Sequence, residues 1–220
     1  MRLETIVGLV PACNAVVDVG ADHAQVAIAL VRRGFAKCAT ATDCVPGPLR
    51  RAACAIRAAG LSDQVQIILT DGLTGLPKHD TVIIAGMGGE LILHILETAD
   101  WVRDGDVTCV LQPMTAGERL REGLCTRGFT ITREVIAREG RKFYPILQVR
   151  RGDARIETVD ELYLSLAGDT DPNAPAYLTH VINRITKQKN GLLRAEQPDA
   201  EAIEEVSRSI DALTARLDRL

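Results

Sequence analysis

An alternation of two kinds of segment through the first 150 residues limits the folds open to this chain more than any other feature. Residues 15–20, 37–43, 65–69, 81–85 and 108–112 are short runs rich in Val, Ile, Thr and Cys. Helix-like stretches at 24–33, 46–59 and 90–99 lie between them, and another at 116–127 follows the fifth run. Strands that are apolar on both faces and separated by amphipathic helices belong to a parallel sheet covered on each side. Residues 129–135 and 143–149 are two further strands, and the segment between them is too short for a crossover helix. They are expected to form an antiparallel hairpin. The fold class expected is therefore α/β, with five parallel strands followed by a hairpin.

The pattern then changes. Residues 150–175 are rich in turn-forming Gly, Asp, Pro and Asn and read as a connector, with one short helix at 159–166. Beyond it, Leu178, Val181, Ile185 and Leu192 keep a helical spacing, and Ile203, Val206, Ile210, Leu213, Leu217 and Leu220 repeat it. Asp199 is placed to cap the second run. Fewer than three heptads favour an antiparallel helical hairpin over a free coiled coil. The expected division is a sheet domain at 1–152 and a connector with helical hairpin at 153–220.

Composition narrows the setting. The chain has 220 residues, 46% apolar and 25% charged, a globular mixture. No apolar run approaches bilayer length, so no membrane span is expected, and the first residues lack the apolar core of a signal peptide. Six cysteines without a CxxC pair read as reduced thiols of a cytoplasmic protein. His79 and His94 have no cysteine or acid at ligand spacing, so no metal is expected. The net charge of −3 alone argues against a nucleic-acid partner. Its distribution argues otherwise. Residues 1–152 hold 18 basic and 16 acidic side chains, whereas 153–220 hold 8 and 13.

The strongest local signal is Val17-Asp18-Val19-Gly20-Ala21-Asp22-His23, where a strand enters a glycine turn and then a helix. Open α/β sheets bind nucleotide-like ligands at such a place. The dinucleotide pattern GxGxxG is absent, since Asp22 and Gln25 occupy its second and third glycine positions. An acid there repels a pyrophosphate and suits a ligand with a cationic head and a ribose, as in S-adenosylmethionine. Asp18 can face the ammonium group, and Gly20 lets the ligand lie against the backbone. Asp43, 23 residues after Gly20, can accept bonds from ribose hydroxyls, and Asp71-Gly72 can meet the adenine edge. Any one of these acids can equally cap a helix or start a turn; three at successive strand ends are harder to dismiss. Gly86, Met87, Gly88 and Gly89 follow the fourth strand, where glycines let backbone approach a substrate, and Gln112 adds an amide at the same rim.

These motifs, in order, carry a resemblance: DVGADHA, the Gly-Pro-Leu after Asp43, Thr70-Asp71-Gly72-Leu73, IAGMGG at 84–89, Leu111-Gln112-Pro113 and Gly140-Arg141-Lys142-Phe143-Tyr144. Over about residues 1–150 the chain resembles the bacterial TrmK family of tRNA (adenine-N1)-methyltransferases, which modify adenine 22 of tRNA. The resemblance implies a class I S-adenosylmethionine-dependent methyltransferase fold, a Rossmann-like sheet with a coiled-coil-like helical hairpin. It implies a cofactor at Asp18, Gly20, Asp43, Asp71 and Gly72, with Gly86 beside it and the target base near 86–89. This sequence departs from the family in having Met114 where Asn is usual and Asp43 where Glu is usual.

Methylation at adenine N1 uses the ring nitrogen's own lone pair, so a carboxylate is wanted for the cationic product and the exocyclic amino group. Asp22 is the expected catalytic group, with His23 orienting or touching the base; the alternative for His23 is a helix-start residue with no special role. A paired base must also be flipped out, so the protein has to grip phosphates. Between 172 and 195 the only charged side chains are Arg184, Lys187, Lys189 and Arg194. A second cluster holds Arg133, Arg138, Arg141, Lys142, Arg150 and Arg151, with Phe143 and Tyr144 as the only candidate stacking platforms. Pairing of the first cluster with Glu201, Glu204 and Glu205 is the plain alternative. Three other readings stay open: a methyltransferase acting on a small molecule or protein, an oxidoreductase disfavoured by the missing glycines, and a non-catalytic interaction protein. Oligomeric state, monomer or weak dimer, is open too.

Overall fold

The computed structural model describes residues 2–195 and 197–220, the side chains of 168 and 169 apart. The chain divides into two compact units, the first ending at Ala154 and the second Arg155–Leu220.

In the first unit the order is α1 (Arg2–Leu9), β1 (Cys13–Val19), α2 (Gln25–Arg32), β2 (Ala36–Asp43), α3 (Pro46–Ala58), β3 (Val65–Leu69) and β4 (Thr81–Gly88). Then come α4 (Gly89–Glu97), α5 (Asp100–Asp104), β5 (Thr108–Thr115), α6 (Gly117–Thr126), β6 (Phe129–Glu139) and β7 (Lys142–Arg151). The seven strands make one sheet in the order β3-β2-β1-β4-β5-β7-β6. The first five run parallel, and β7 lies antiparallel between β5 and β6. This topology is the Rossmann-like sheet expected above, five parallel strands followed by an antiparallel hairpin.

Alternation along the central strands splits the core into two layers. Val16, Ile83 and Val110 face a layer with α1 and α2 residues such as Ile6, Leu9 and Leu30. Val17, Ile84 and Leu111 face Ile92, Leu96, Leu120 and Leu124 of α4 and α6. Deep inside the second side, Arg121 of α6 pairs with Glu134 of β6, their side chains 1% and 0% exposed. Charges so buried are tolerated only when paired.

Three elements depart from the sequence expectation. The N-terminal segment is a helix, α1, which uses Ile6, Val7 and Leu9 to cover the sheet. The stretch Gly86–Gly88 is not a free loop. It continues β4 alongside β5, with Ala85 opposite Gln112, Met87 opposite Pro113 and Gly88 opposite Thr115. Gly86, at φ 80°, and Met114 are the unmatched residues of this bulge, and a glycine at positive φ is what such a bulge accommodates. Thirdly, the expected short helix at 159–166 is two 3₁₀ turns, Asp160–Leu162 and Leu166–Asp169.

The second unit is built on α7 (Ala174–Leu193) and α8 (Ala200–Leu217). Leu178, Val181 and Ile185 of α7 are buried, as is Leu213 of α8. The Asp199 side chain caps α8, accepting a bond from the Ala202 N–H at 3.0 Å. Arg216 of α8 reaches Asp160 at 3.4 Å and ties the 3₁₀ turn to the pair. Among the described residues no helix is long and apolar enough to cross a membrane.

Candidate active site

Parallel pairing aligns the carboxyl ends of β1 to β5 along one rim. Asp18 stands beside Ala41 and Ile83, Asp43 beside Leu69, and Ala85 beside Gln112. Leaving β1, the chain turns at Gly20 (φ 71°) and is pinned to β2, the Gly20 and Ala21 N–H groups both donating to the Thr42 carbonyl. It enters α2 through Ala24, whose φ of 48° is unusual for a residue with a side chain. An added Cβ at Gly20 would lie 2.3 Å from Met87 Cε, the end of a flexible side chain that can shift, so it is the left-handed dihedral that requires glycine here.

Above this turn opens a cleft of about 350 Å³. Its lining includes Arg2 and Ile6 of α1, Asp18 and Gly20, the turn residues Asp22 and His23, Ala85 of β4, and Glu139 at the end of β6. Asp18 is only 5% exposed. Burial pushes its carboxyl up to about 7, against the opposing pull of a backbone bond from Ala27. Asp22 lies at the open mouth, where Arg51 of α3 donates to it through Nε at 2.8 Å and forms an ion pair. His23 Nε2 is 3.6 Å from the same carboxylate. The β6–β7 turn brings Glu139 to the rim because β7 runs against β5. Glu139 Oε1 accepts the Arg2 backbone N–H at 2.8 Å. The Arg2 guanidinium lies over the Tyr144 ring, 5.1 Å from its centroid, with Nη1 3.8 Å from Met114 Sδ.

The structure thus brings Asp18, Gly20, Asp22 and His23 into one cleft. Asp43 closes β2 half-buried, its Oδ1 accepting the Val45 N–H at 2.9 Å. Asp71 and Gly86 are exposed further along the rim. Gly72, at φ 58°, faces Ile95, with a Cβ position 3.2 Å from that side chain, so it serves the packing of its turn against α4. Gly88 and Met87 are half-buried, whereas Gly89 is buried. A Cβ on Gly89 would sit 2.3 Å from the Ala116 carbonyl. The expectation that Gly89 borders a substrate gives way to a packing role between α4 and α6. Gln112 is fully buried, its Nε2 donating to the Pro113 carbonyl at 2.7 Å, while its Oε1 has no partner. Tyr144 is 8% exposed with Arg2 on its face, so its ring is not an open stacking platform.

The basic cluster of the hairpin is divided by strand register. Arg138, Arg141 and Lys142 stand at the tip beside the cleft, whereas Arg150 and Arg151 pair with Thr130 and Phe129 at the opposite end of the sheet. There Arg150 approaches Asp106 at 3.7 Å. In the second unit Arg184 and Lys187 are exposed on α7 and Lys189 is half-buried. No ion pair is formed by Lys187 or Lys189 among the described residues. Sequence reasoning missed Arg2, Arg51 and Glu139. The 3/4 spacing of Leu3, Ile6, Val7 and Val10 could have shown α1, and the hairpin register could have shown Glu139.

The fit of the cleft to S-adenosylmethionine rests on this donor set. The Asp18 carboxyl, raised in its pKa by burial, suits an ammonium group, which would favour its ionised form. The Gly20 turn leaves backbone open to a chain. Val45 and Leu69, 52% and 58% exposed, put apolar surface beside Asp43 for a purine. Among the described residues no group of three or more His, Cys, Asp or Glu is placed to hold a metal ion.

Sheet order, glycine turn and acidic strand ends define a class, the Rossmann-like methyltransferases. The family model of the methyltransferase domain matches residues 1–147. The tRNA (adenine(22)-N(1))-methyltransferase of Bacillus subtilis (strain 168) is 33% identical over 154 residues, 69% of this chain. That match spans 65% of the curated relative, less than two thirds of its length. The crystal structure of Streptococcus pneumoniae Sp1610, a candidate tRNA (m1A22) methyltransferase, is 30% identical, covers 98% of each chain and superposes with a TM-score of 0.86. The same protein in complex with S-adenosyl-L-methionine, again 30% identical over 98% of both chains, superposes at 0.85. This chain belongs to the methyltransferase-domain family, and over nearly its whole length it is similar to Sp1610.

Proposed function

We propose that the chain is a cytoplasmic, S-adenosyl-L-methionine-dependent tRNA methyltransferase that methylates N1 of adenine 22 in the D-arm. One observation carries the reading. A buried carboxyl, Asp18, lies under a phosphate-excluding glycine turn in a cleft at the carboxyl rim, in a chain 33% identical to a tRNA (adenine(22)-N(1))-methyltransferase.

The cofactor supplies an activated methyl group on its sulfonium. Asp18 and Gly20 hold its amino-acid end, Asp43 its ribose, and the rim at Asp71 and Gly86 its base, with Gly72 packing the turn beneath. Met87 and Gly88 border the target, above the buried Gln112. Asp22 and His23 guide the flipped base at the mouth, with Arg51 fixing the Asp22 carboxylate. Orientation does most of the work, since a well-held pair of reactants lowers the barrier by ~7–11 kcal/mol. Arg141 and Lys142 grip phosphates next to the cleft, and Arg184, Lys187 and Lys189 grip them from α7.

Transfer of radiolabelled methyl from S-adenosylmethionine to bulk unmodified tRNA, set against protein and small-molecule acceptors, tests this reading. Labelling confined to tRNA is the expected result. Labelling of another acceptor alone, or none with cofactor bound, would overturn it.

A further inference from the structure

We propose that α3 is an RNA-docking face, on which Arg50 and Arg57 take phosphates of the tRNA backbone beside the cleft. This rests on the function proposed above and adds a contact surface to it.

Charge on the surface helices of the first unit is divided by the sheet. α2 and α3 pack into the layer of Val16 and Ile83, and together they carry four arginines and no acid. On the same side α1 adds one charge of each sign, Arg2 and Glu4. On the opposite side α4, α5 and α6 carry six acids and three arginines. The basic stretch extends beyond α3 itself, since residues 44–62 hold three arginines and no acidic side chain. A phosphate backbone is therefore drawn to the first side and repelled from the second.

The helix α3 carries that charge to the cleft. It starts just past Asp43, at the carboxyl rim. Arg51, in its second turn, pairs with Asp22 at the cleft mouth, so the acid nearest this approach is already matched. Arg50 stands beside it. Arg57 follows seven residues later, two turns down the same face and about 10 Å along the axis. Its Nη2 lies 3.7 Å from Sγ of Cys54, which shares the face. Arg50, Cys54 and Arg57 are all exposed. Neither Arg50 nor Arg57 forms an ion pair among the described residues.

The chemistry of this face selects RNA phosphates over other partners. Leu49, Ala52 and Ile56 are the buried side of α3, so its open side offers charge without the apolar anchor that a lipid surface or a protein partner uses. Every charge on it is a guanidinium, whose planar fork of donors matches phosphate oxygens two at a time. Two such groups, two turns apart, reach separate phosphates. They hold the RNA alongside the mouth through which a flipped base enters.

The test measures binding of unmodified tRNA to the whole protein over a range of salt, with S-adenosylhomocysteine present. Arg50→Gln with Arg57→Gln removes two phosphate contacts. The slope of log K against log salt should fall by about 1.4–1.8, and affinity near physiological salt by about tenfold. Arg50→Lys with Arg57→Lys keeps both charges and should keep most of the slope, losing a few-fold in affinity with the forked bonds. Lys78→Gln with Arg133→Gln removes two exposed charges away from α3, one before β4 and one on the edge strand β6, and should leave the slope nearly as it was. Unchanged melting and S-adenosylhomocysteine affinity check the fold of each variant. A wild-type slope in the Arg50→Gln, Arg57→Gln protein, or an equal fall in the Lys78→Gln, Arg133→Gln protein, would overturn the docking face and leave the tRNA reading standing. No tRNA binding by the wild type would overturn both.

Discussion

Asp18→Asn should change how stability depends on pH, and the structure sets the size. The Asp18 carboxyl is raised from 3.8 to about 7 by burial. Its folded pKa exceeds its unfolded one, so the folded state holds the proton more tightly. Below about 3.8 both states are protonated and the group costs nothing. Between about 3.8 and 7 the unfolded state releases the proton first, and stability falls as pH rises. Above about 7 the loss is complete. A gap of about 3 pKa units at 1.36 kcal/mol each gives about 4 kcal/mol in all, of which roughly 2–3 kcal/mol falls between about pH 5 and 8. Asn keeps an acceptor for the Ala27 N–H and has nothing to ionise. Urea unfolding of both proteins at several pH values should show wild type losing that amount relative to the variant as pH rises. Parallel curves would refute the claim that Asp18 is a desolvated acid.

Other outcomes follow from the same site and frame. An ammonium group beside Asp18 favours its ionised form, so S-adenosylhomocysteine should bind with proton release and more tightly at pH 8 than at pH 6. Calorimetry in buffers of different ionisation enthalpy checks this, and Asp18→Asn should abolish the trend. Arg121→Ala removes the buried Arg121–Glu134 ion pair and should cost about 3–5 kcal/mol by urea unfolding, whereas Arg121→Met with Glu134→Leu should recover most of it. Lys187→Ala with Lys189→Ala should weaken tRNA binding and reduce the slope of log K against log salt by about 1–2. An unchanged slope would remove α7 from the interface.

Much of the fold was legible because its signals are local. Apolar strand runs, amphipathic helices and the short link between β6 and β7 each follow from neighbouring residues, and together they gave the parallel sheet and hairpin. Asp18, Asp22 and His23 were legible for the same reason, since one turn carries them all. What was missed depends on pairing across the sheet. Glu139 enters the cleft only because β7 inserts between β5 and β6 in the opposite sense. Arg51 is 29 residues from the aspartate it holds. Gly89 looks like its neighbours in sequence, and only the approach of Ala116 shows that it is a packing glycine. Gly86 is different in turn: its φ of 80° belongs to a bulge no spacing rule announces.

The central claim is the position and atom of methylation. Unmodified tRNA incubated with the protein and S-adenosylmethionine, then copied by reverse transcriptase, reads it at nucleotide resolution, because a methyl on N1 blocks the pairing edge of adenine. A stop opposite adenine 22 that depends on both protein and cofactor, and is absent when that adenine is replaced by guanine, is predicted. Full-length copies under turnover conditions, or stops at other adenines only, would contradict it.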